Sequence, residues 1–165
     1  MFDGFNFQAL LTTGKVVWEP HLHVDSPADP YVDLMRRNPT PEMQRKYARQ
    51  ALELDPGFIH AHYILACHAD HHDEGMFHLR AVELTGEILW KPLIEEFGED
   101  VRWRDIVDTY PYRWSLVHLG DELAKLGDIE GATRAYERVM ILSDQDAPNT
   151  LEKLRNLTPQ VSLSR

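Results

Sequence analysis

The sequence predicts an all-α protein, a short array of antiparallel helix pairs preceded by an N-terminal arm that is either irregular or a hairpin. Three observations carry that expectation. Apolar residues recur at helical spacing from about residue 31 to residue 157. Pro and Gly interrupt the pattern where helix–turn–helix units need starts and stops. The strand-like run Val16-Val17-Trp18 falls in the first thirty residues, and from Asp29 onward the pattern is helical.

The arm, residues 1–30, holds Phe2, Phe5, Phe7, Leu10 and Leu11 ahead of Gly14, then Lys15-Val16-Val17-Trp18 and the prolines Pro20, Pro27 and Pro30. Two short runs around Gly14 suit a hairpin, although a two-stranded hairpin is marginal by itself. So much apolar surface is too sticky for a free tail, so the arm is expected to pack on the helical body or on a second subunit of a homodimer.

The helical domain is expected over residues 31–158, with a polar tail at 159–165. Asp29-Pro30 reads as a cap followed by Pro at the first helical position, and Thr40-Pro41-Glu42 repeats that signal. Met43, Tyr47, Ala51 and Leu54 then share a face until Pro56. A third helix is expected from about Gly57 to His72, with Ala61, Ile64, Leu65 and Ala69 on one face, and a fourth from about Asp73 to Phe97, stopped by Gly98. Residues 99–111 form an acidic insertion, broken by Pro111, with an amphipathic turn at Trp103, Ile106 and Val107. Trp114, Leu116, Val117, Leu119, Leu123 and Leu126 lead to Gly127, suited to the left-handed position after a helix. Asp128 caps the next helix, which carries Ile129, Ala132, Ala135, Tyr136, Val139 and Leu142. Asp146, with Pro148 in the first turn, opens a last helix through Leu151, Leu154 and Leu157.

The composition narrows the classes of function. The chain has 165 residues, 43% hydrophobic and 27% charged, which is one domain's worth of a folded protein. With 17 Lys and Arg against 27 Asp and Glu, the formal charge is −10, a poor basis for binding nucleic acid. The single cysteine, Cys67, excludes an intramolecular disulfide and fits a reducing compartment. The apolar runs are too short to span a bilayer. Met1-Phe2-Asp3-Gly4 lacks the basic start of a signal peptide, so a cytoplasmic location is expected.

Leu119-Gly120, Gly127-Asp128, Ala132 and Tyr136 together resemble a tetratricopeptide repeat, a helix–turn–helix unit of about 34 residues. Gly120 and Ala132 lack bulk where the two helices cross, and Tyr136 is placed to fill the gap towards the next unit. Val139 and Asp144 depart from the pattern, which more often has alanine and proline there. Ala51-Leu52-Glu53-Leu54-Asp55-Pro56 resembles the end of another unit, echoed by Ala81-Val82-Glu83-Leu84. The compressed middle unit, the insertion and the Pro111-Tyr112 start resemble the divergent tetratricopeptide-like proteins of the suppression-of-tumorigenicity-seven type. The resemblance implies about two and a half helix pairs and a concave groove lined by the first helix of each. It places His60, Tyr63, Cys67 and His71 in that groove from one unit, and Trp114, Val117, Asp121 and Ala124 from the final one.

Several residues invite chemistry. His60, His62, His68, His71, His72 and His78 crowd one stretch, and the four-residue step from His68 to His72 suits zinc on a helix face. There is no His-Glu-x-x-His motif and no second ligand cluster, so a solvated helix end is the preferred reading and no metal is assigned. Cys67 and His71 are likewise four apart, but no third orienting group accompanies them, and packing is the preferred role for Cys67. No phosphate loop, dinucleotide fingerprint or Gly-x-Ser-x-Gly occurs. Arg36, Arg37, Arg45, Lys46 and Arg49 read as ordinary basic helix surface.

The function expected is therefore a non-catalytic protein–protein interaction module, an adaptor or scaffold without cofactor, taking a peptide or helix in its groove. An aromatic or apolar segment with some polar or negative character suits the residues of that groove. Two other classes stay open. The first is an acidic antitoxin or immunity-type protein that neutralises a basic partner. The second is a His-rich metal-dependent enzyme.

Overall fold

A computed structural model describes residues 9–12, 15–18, 26–97, 103, 109–143 and 148–161. Among them seven helices follow one another: α1 (Pro30–Arg37), α2 (Pro41–Leu54), α3 (Ile59–Cys67), α4 (His72–Phe97), α5 (Thr109–Lys125), α6 (Ile129–Ser143) and α7 (Pro148–Val161). The protein is all-α apart from the backbone of the arm. There β1 (Ala9–Thr12) pairs antiparallel with β2 (Lys15–Trp18), Ala9 opposite Trp18 and Thr12 opposite Lys15, so these two runs pair as the strands of a hairpin. The side chains of residues 1–25, and with them the expected docking of the arm's aromatic residues, lie outside the described residues. So do Ile106 and Val107 of the insertion and residues 162–165 of the tail; the tail is expected from residue 159, but α7 continues to Val161, so its first three residues are helical.

Successive helices pack in pairs, α1 with α2, α3 with α4 and α5 with α6. Each second helix also packs on the first helix of the next pair: α2 on α3, α4 on α5 and α6 on α7. The first helices touch in turn, α1 with α3 and α3 with α5. This is the contact scheme of a helical-repeat array. It comprises three pairs and a closing helix, not two and a half pairs, because the eight-residue α1 completes the first pair.

Local chemistry explains most boundaries. Thr40 caps α2 as expected, its hydroxyl accepting from the Met43 amide at 3.4 Å. Asp29 is not the cap of α1, since its backbone is already helical. The turn is held one step earlier, where the Ser26 hydroxyl accepts from the Ala28 amide at 3.2 Å and Asp29 accepts from the Ser26 amide at 2.9 Å. The Ser26 hydroxyl also donates to Asp55 at the end of α2, 2.6 Å away, tying the first pair together. Pro111 does not break the chain before α5. It sits in the first turn, where proline's missing N–H has no intrahelical partner to lose. Gly127 closes α5 at φ +81, a conformation that only glycine adopts without strain.

The third helix is shorter than expected and ends at Cys67. The cause is tertiary. Arg45 of α2 donates to the His68 carbonyl at 2.8 Å and to Asp70 at 3.0 Å. The carbonyl that would accept from the His72 amide in a continuous helix is thereby taken by a side chain. The His68 ring adds a hydrogen bond to Gln44 at 2.6 Å.

Three apolar clusters fill the array. Met35, Ala48, Ala51, Phe58, Ala61 and Leu65 join α1, α2 and α3. Trp90, Trp103, Tyr112, Leu116, Val139 and Leu142 form the central core, which takes Trp103 out of the acidic insertion and buries it to 1% exposure. Leu79, Leu119, Leu123, Ala132, Tyr136 and Leu157 bind α7 to the third pair. Gly120 is where α5 and α6 cross. A Cβ there would lie 2.5 Å from the Tyr136 ring, so Tyr136 packs on its own pair as well as reaching towards α7. Gly86 makes the same close approach to Tyr112 where α4 meets α5.

Candidate functional site

The first helices present one continuous recessed face, and α5 is its spine. Tyr110, Trp114, Val117, His118 and Asp121 recur at steps of three and four along α5, so they share one side of the helix. That side looks into a groove of about 710 Å³ whose opposite wall is α7, with Asn149, Lys153 and Asn156. A second hollow of about 250 Å³ lies between the 68–71 turn, the start of α4 and α5, and includes His71, His72 and Glu122. A third, of about 60 Å³, is set among α1, α3 and α5 and includes His60 and Tyr63. Trp114 and His118 border both larger hollows, and Tyr110 borders the first and third. The three recesses are therefore compartments of one face.

Aromatic contacts build the ridge between them. The Trp114 and His118 rings lie 3.9 Å apart at 41°. Tyr63 of α3 meets Trp114 edge-on at 4.9 Å and Tyr110 at 5.9 Å. Such edge-to-face geometry fixes ring orientation, because the positive edge of one ring faces the negative face of the next. Burial pushes the His118 pKa below its ordinary value, against the opposing pull of Asp121. At neutral pH the ridge is thus uncharged and partly exposed, a surface suited to aromatic or apolar side chains.

The polar end of the groove is braced. Lys153 of α7 donates to both carboxylate oxygens of Asp121, at 2.6 and 2.7 Å, and the Tyr136 hydroxyl donates to Asp121 at 2.6 Å. Burial acts to raise the Asp121 pKa, but these bonds outweigh it and hold the carboxyl below its ordinary value. Asp121 therefore joins α5, α6 and α7. In the second hollow, Glu122 accepts from Lys125 at 2.6 Å and from His72 at 3.0 Å, and the two bonds lower its pKa in that order.

Of the eight residues expected in the groove, six border these recesses: His60, Tyr63, His71, Trp114, Val117 and Asp121. Ala124 instead packs against the cluster of Leu79, Leu119 and Leu123. Cys67 is half-buried at the end of α3 and lines none of the three. Burial raises its thiol pKa, the wrong direction for a thiolate nucleophile. The chain leaves the helix after Cys67, so the four-residue steps from Cys67 to His71 and from His68 to His72 no longer mark a shared helix face. Among the described residues, no group of three or more His, Cys, Asp or Glu side chains is arranged to hold a metal ion.

The main omission from the sequence reading is α7. Asn149, Lys153 and Asn156 follow a helical stripe, but nothing local says that the stripe faces α5. His118 was legible in principle, one turn after Trp114 on the same side of α5.

No protein-family model matches the chain, and no curated protein resembles it closely enough to count as a match. Among the described residues, no helix is long and apolar enough to cross a membrane.

Proposed function

We propose that the chain is a non-catalytic protein–protein interaction module that takes a peptide or short helix along the recessed face centred on Trp114 and His118. The observation that carries this reading is the continuity of that face across three recesses, with an aromatic ridge at its middle. Stacked helix pairs generate such faces from their first helices, and a bound segment gains both apolar burial and fixed polar partners there. Trp114, Tyr110 and His118 suit an aromatic or apolar anchor. Asn149 and Asn156 on the rim suit polar flanking groups. The lone cysteine is in keeping with a cytoplasmic setting.

The test is affinity capture from the native host with the wild-type chain and with Trp114→Ala, followed by titration of the captured segment as a peptide. A buried aromatic anchor of this kind is worth roughly 2 kcal/mol, so Trp114→Ala is expected to weaken binding about 30-fold. His118→Ala, at an exposed position, serves as the milder variant. A specific partner that binds folded Trp114→Ala and His118→Ala as tightly as wild type would refute this site.

A further inference from the structure

The outer face of α4 carries an apolar stripe that is exposed among the described residues. Phe77 is 65% exposed, Leu84 65% and Ile88 67%, with the small, partly exposed Ala81 between them. These are long exposures for large apolar side chains, and they fall on the side of α4 opposite buried Leu79, Val82, Gly86 and Trp90. The steps from 77 to 81, 84 and 88 are four, three and four, the spacing of a helix–helix seam. Continuing the alternation by three residues at each end reaches Glu74 and Lys91.

The two ends of the stripe complement each other position by position: opposite charges outermost, a large apolar residue next at each end, and Ala81 with Leu84 at the centre. We propose that this face is a self-association surface on which a second copy of the chain docks, α4 against α4, antiparallel about a two-fold axis between Val82 and Glu83. In that register Phe77 lies opposite Ile88 of the second copy, Ala81 opposite its Leu84 and Glu74 opposite its Lys91. Every contact occurs twice, as an isologous interface requires. The small Ala81 lets the axes approach while Leu84 fills the space across from it. A parallel pairing would set Glu74 against Glu74 and Lys91 against Lys91, so the end charges select the antiparallel arrangement. Lys91 is available for this role. Its contacts within the chain, to Glu87 and Glu95, are 3.9 and 4.0 Å long, and its side chain is 48% exposed. Self-pairing about this axis matches the opposite end charges twice, and that complementarity favours a second copy as the occupant. Pro92 removes the amide that would bond the Ile88 carbonyl, just past the last seam position, within a helix that continues to Phe97. The main groove lies between α5 and α7, so a copy docked on the outer face of α4 leaves it open.

Sedimentation equilibrium of the full chain over about 1–300 μM tests the proposal. A reversible monomer–dimer equilibrium is expected. Leu84→Glu, at an exposed position, is expected to raise the dissociation constant at least tenfold with an unchanged circular dichroism spectrum. Glu74→Lys and Lys91→Glu are each expected to weaken the dimer, and the two together in one chain to restore it. A wild-type chain that stays monomeric throughout would overturn the proposal. A dimer indifferent to Leu84→Glu would overturn the surface, and double charge reversal no better than either single one would overturn the register.

Discussion

Acidification is expected to destabilise this fold through one buried pair of histidines, His62 on α3 and His78 on α4. Their Nδ1 atoms are 2.9 Å apart, and the Nε2 of His62 lies 2.9 Å from the Pro56 carbonyl oxygen. A carbonyl only accepts, so the His62 proton is on Nε2 and its bare Nδ1 accepts from the Nδ1–H of His78. Both rings are neutral in that arrangement, and they are 5% and 8% exposed. Burial is the largest cause holding the His78 pKa down at about 4, with further depression from His62 and Arg49 against the pull of Glu74. Burial also lowers His62, opposed by its bond to Pro56 and by Asp55. The unfolded chain, with an ordinary histidine pKa near 6.5, binds protons before the folded one does. The stability contributed by neutral His78 is therefore complete above about pH 6.5 and lost as the pH falls towards 4. By linkage, a fall from 6.5 to about 4 costs roughly 2 kcal/mol by about pH 5 and about 3 kcal/mol by about pH 4. A loss of roughly 2 kcal/mol corresponds to a fall of about 4–8 °C in melting temperature for a chain of this size. The assay is urea unfolding from pH 7.5 to 4.5 on wild type and His78→Gln, whose amide can still donate to His62. His68 and His118, whose pKa values burial also lowers, act alike in both proteins and cancel in the comparison. The variant is expected to have the shallower pH dependence. Equal slopes would refute the assignment of the acid lability to this pair.

Two further outcomes follow from the packing. Gly120→Ala places a methyl group against the Tyr136 ring at the α5–α6 crossing, so a loss of roughly 1–3 kcal/mol is expected in chemical denaturation; an unchanged midpoint would mean that the crossing relaxes freely. Trp103→Ala removes a fully buried ring from the central core, and the loss should reach roughly 3–5 kcal/mol, readable as a lowered melting temperature. A loss below about 1 kcal/mol would show that the insertion is not anchored there.

The all-α class, the Thr40 cap, the stop at Gly127 and the close crossing at Gly120 were legible in the sequence. Each depends on backbone geometry that a few neighbouring residues dictate: a hydroxyl at an N-terminus, a glycine where φ is positive, apolar positions on one side of a helix. Most of the expected recess positions on α3 and α5 were legible for the same reason, since helical spacing decides which residues share a side. The break after Cys67 was not, because Arg45, more than twenty residues away, takes the His68 carbonyl from the helix ladder. Nor was the wall that α7 supplies, because a stripe of Asn149, Lys153 and Asn156 reads as solvated surface until Asp121 and Leu157 hold it beside α5. His62 and His78, sixteen residues apart, look like two members of a histidine-rich stretch. Only the packing of α3 on α4 makes them a desolvated pair. Local chemistry thus determined which segments are helical and where most of them begin and end. The tertiary structure decided which of their polar groups meet, because burial and hydrogen bonding between distant segments exist only once the helices have stacked.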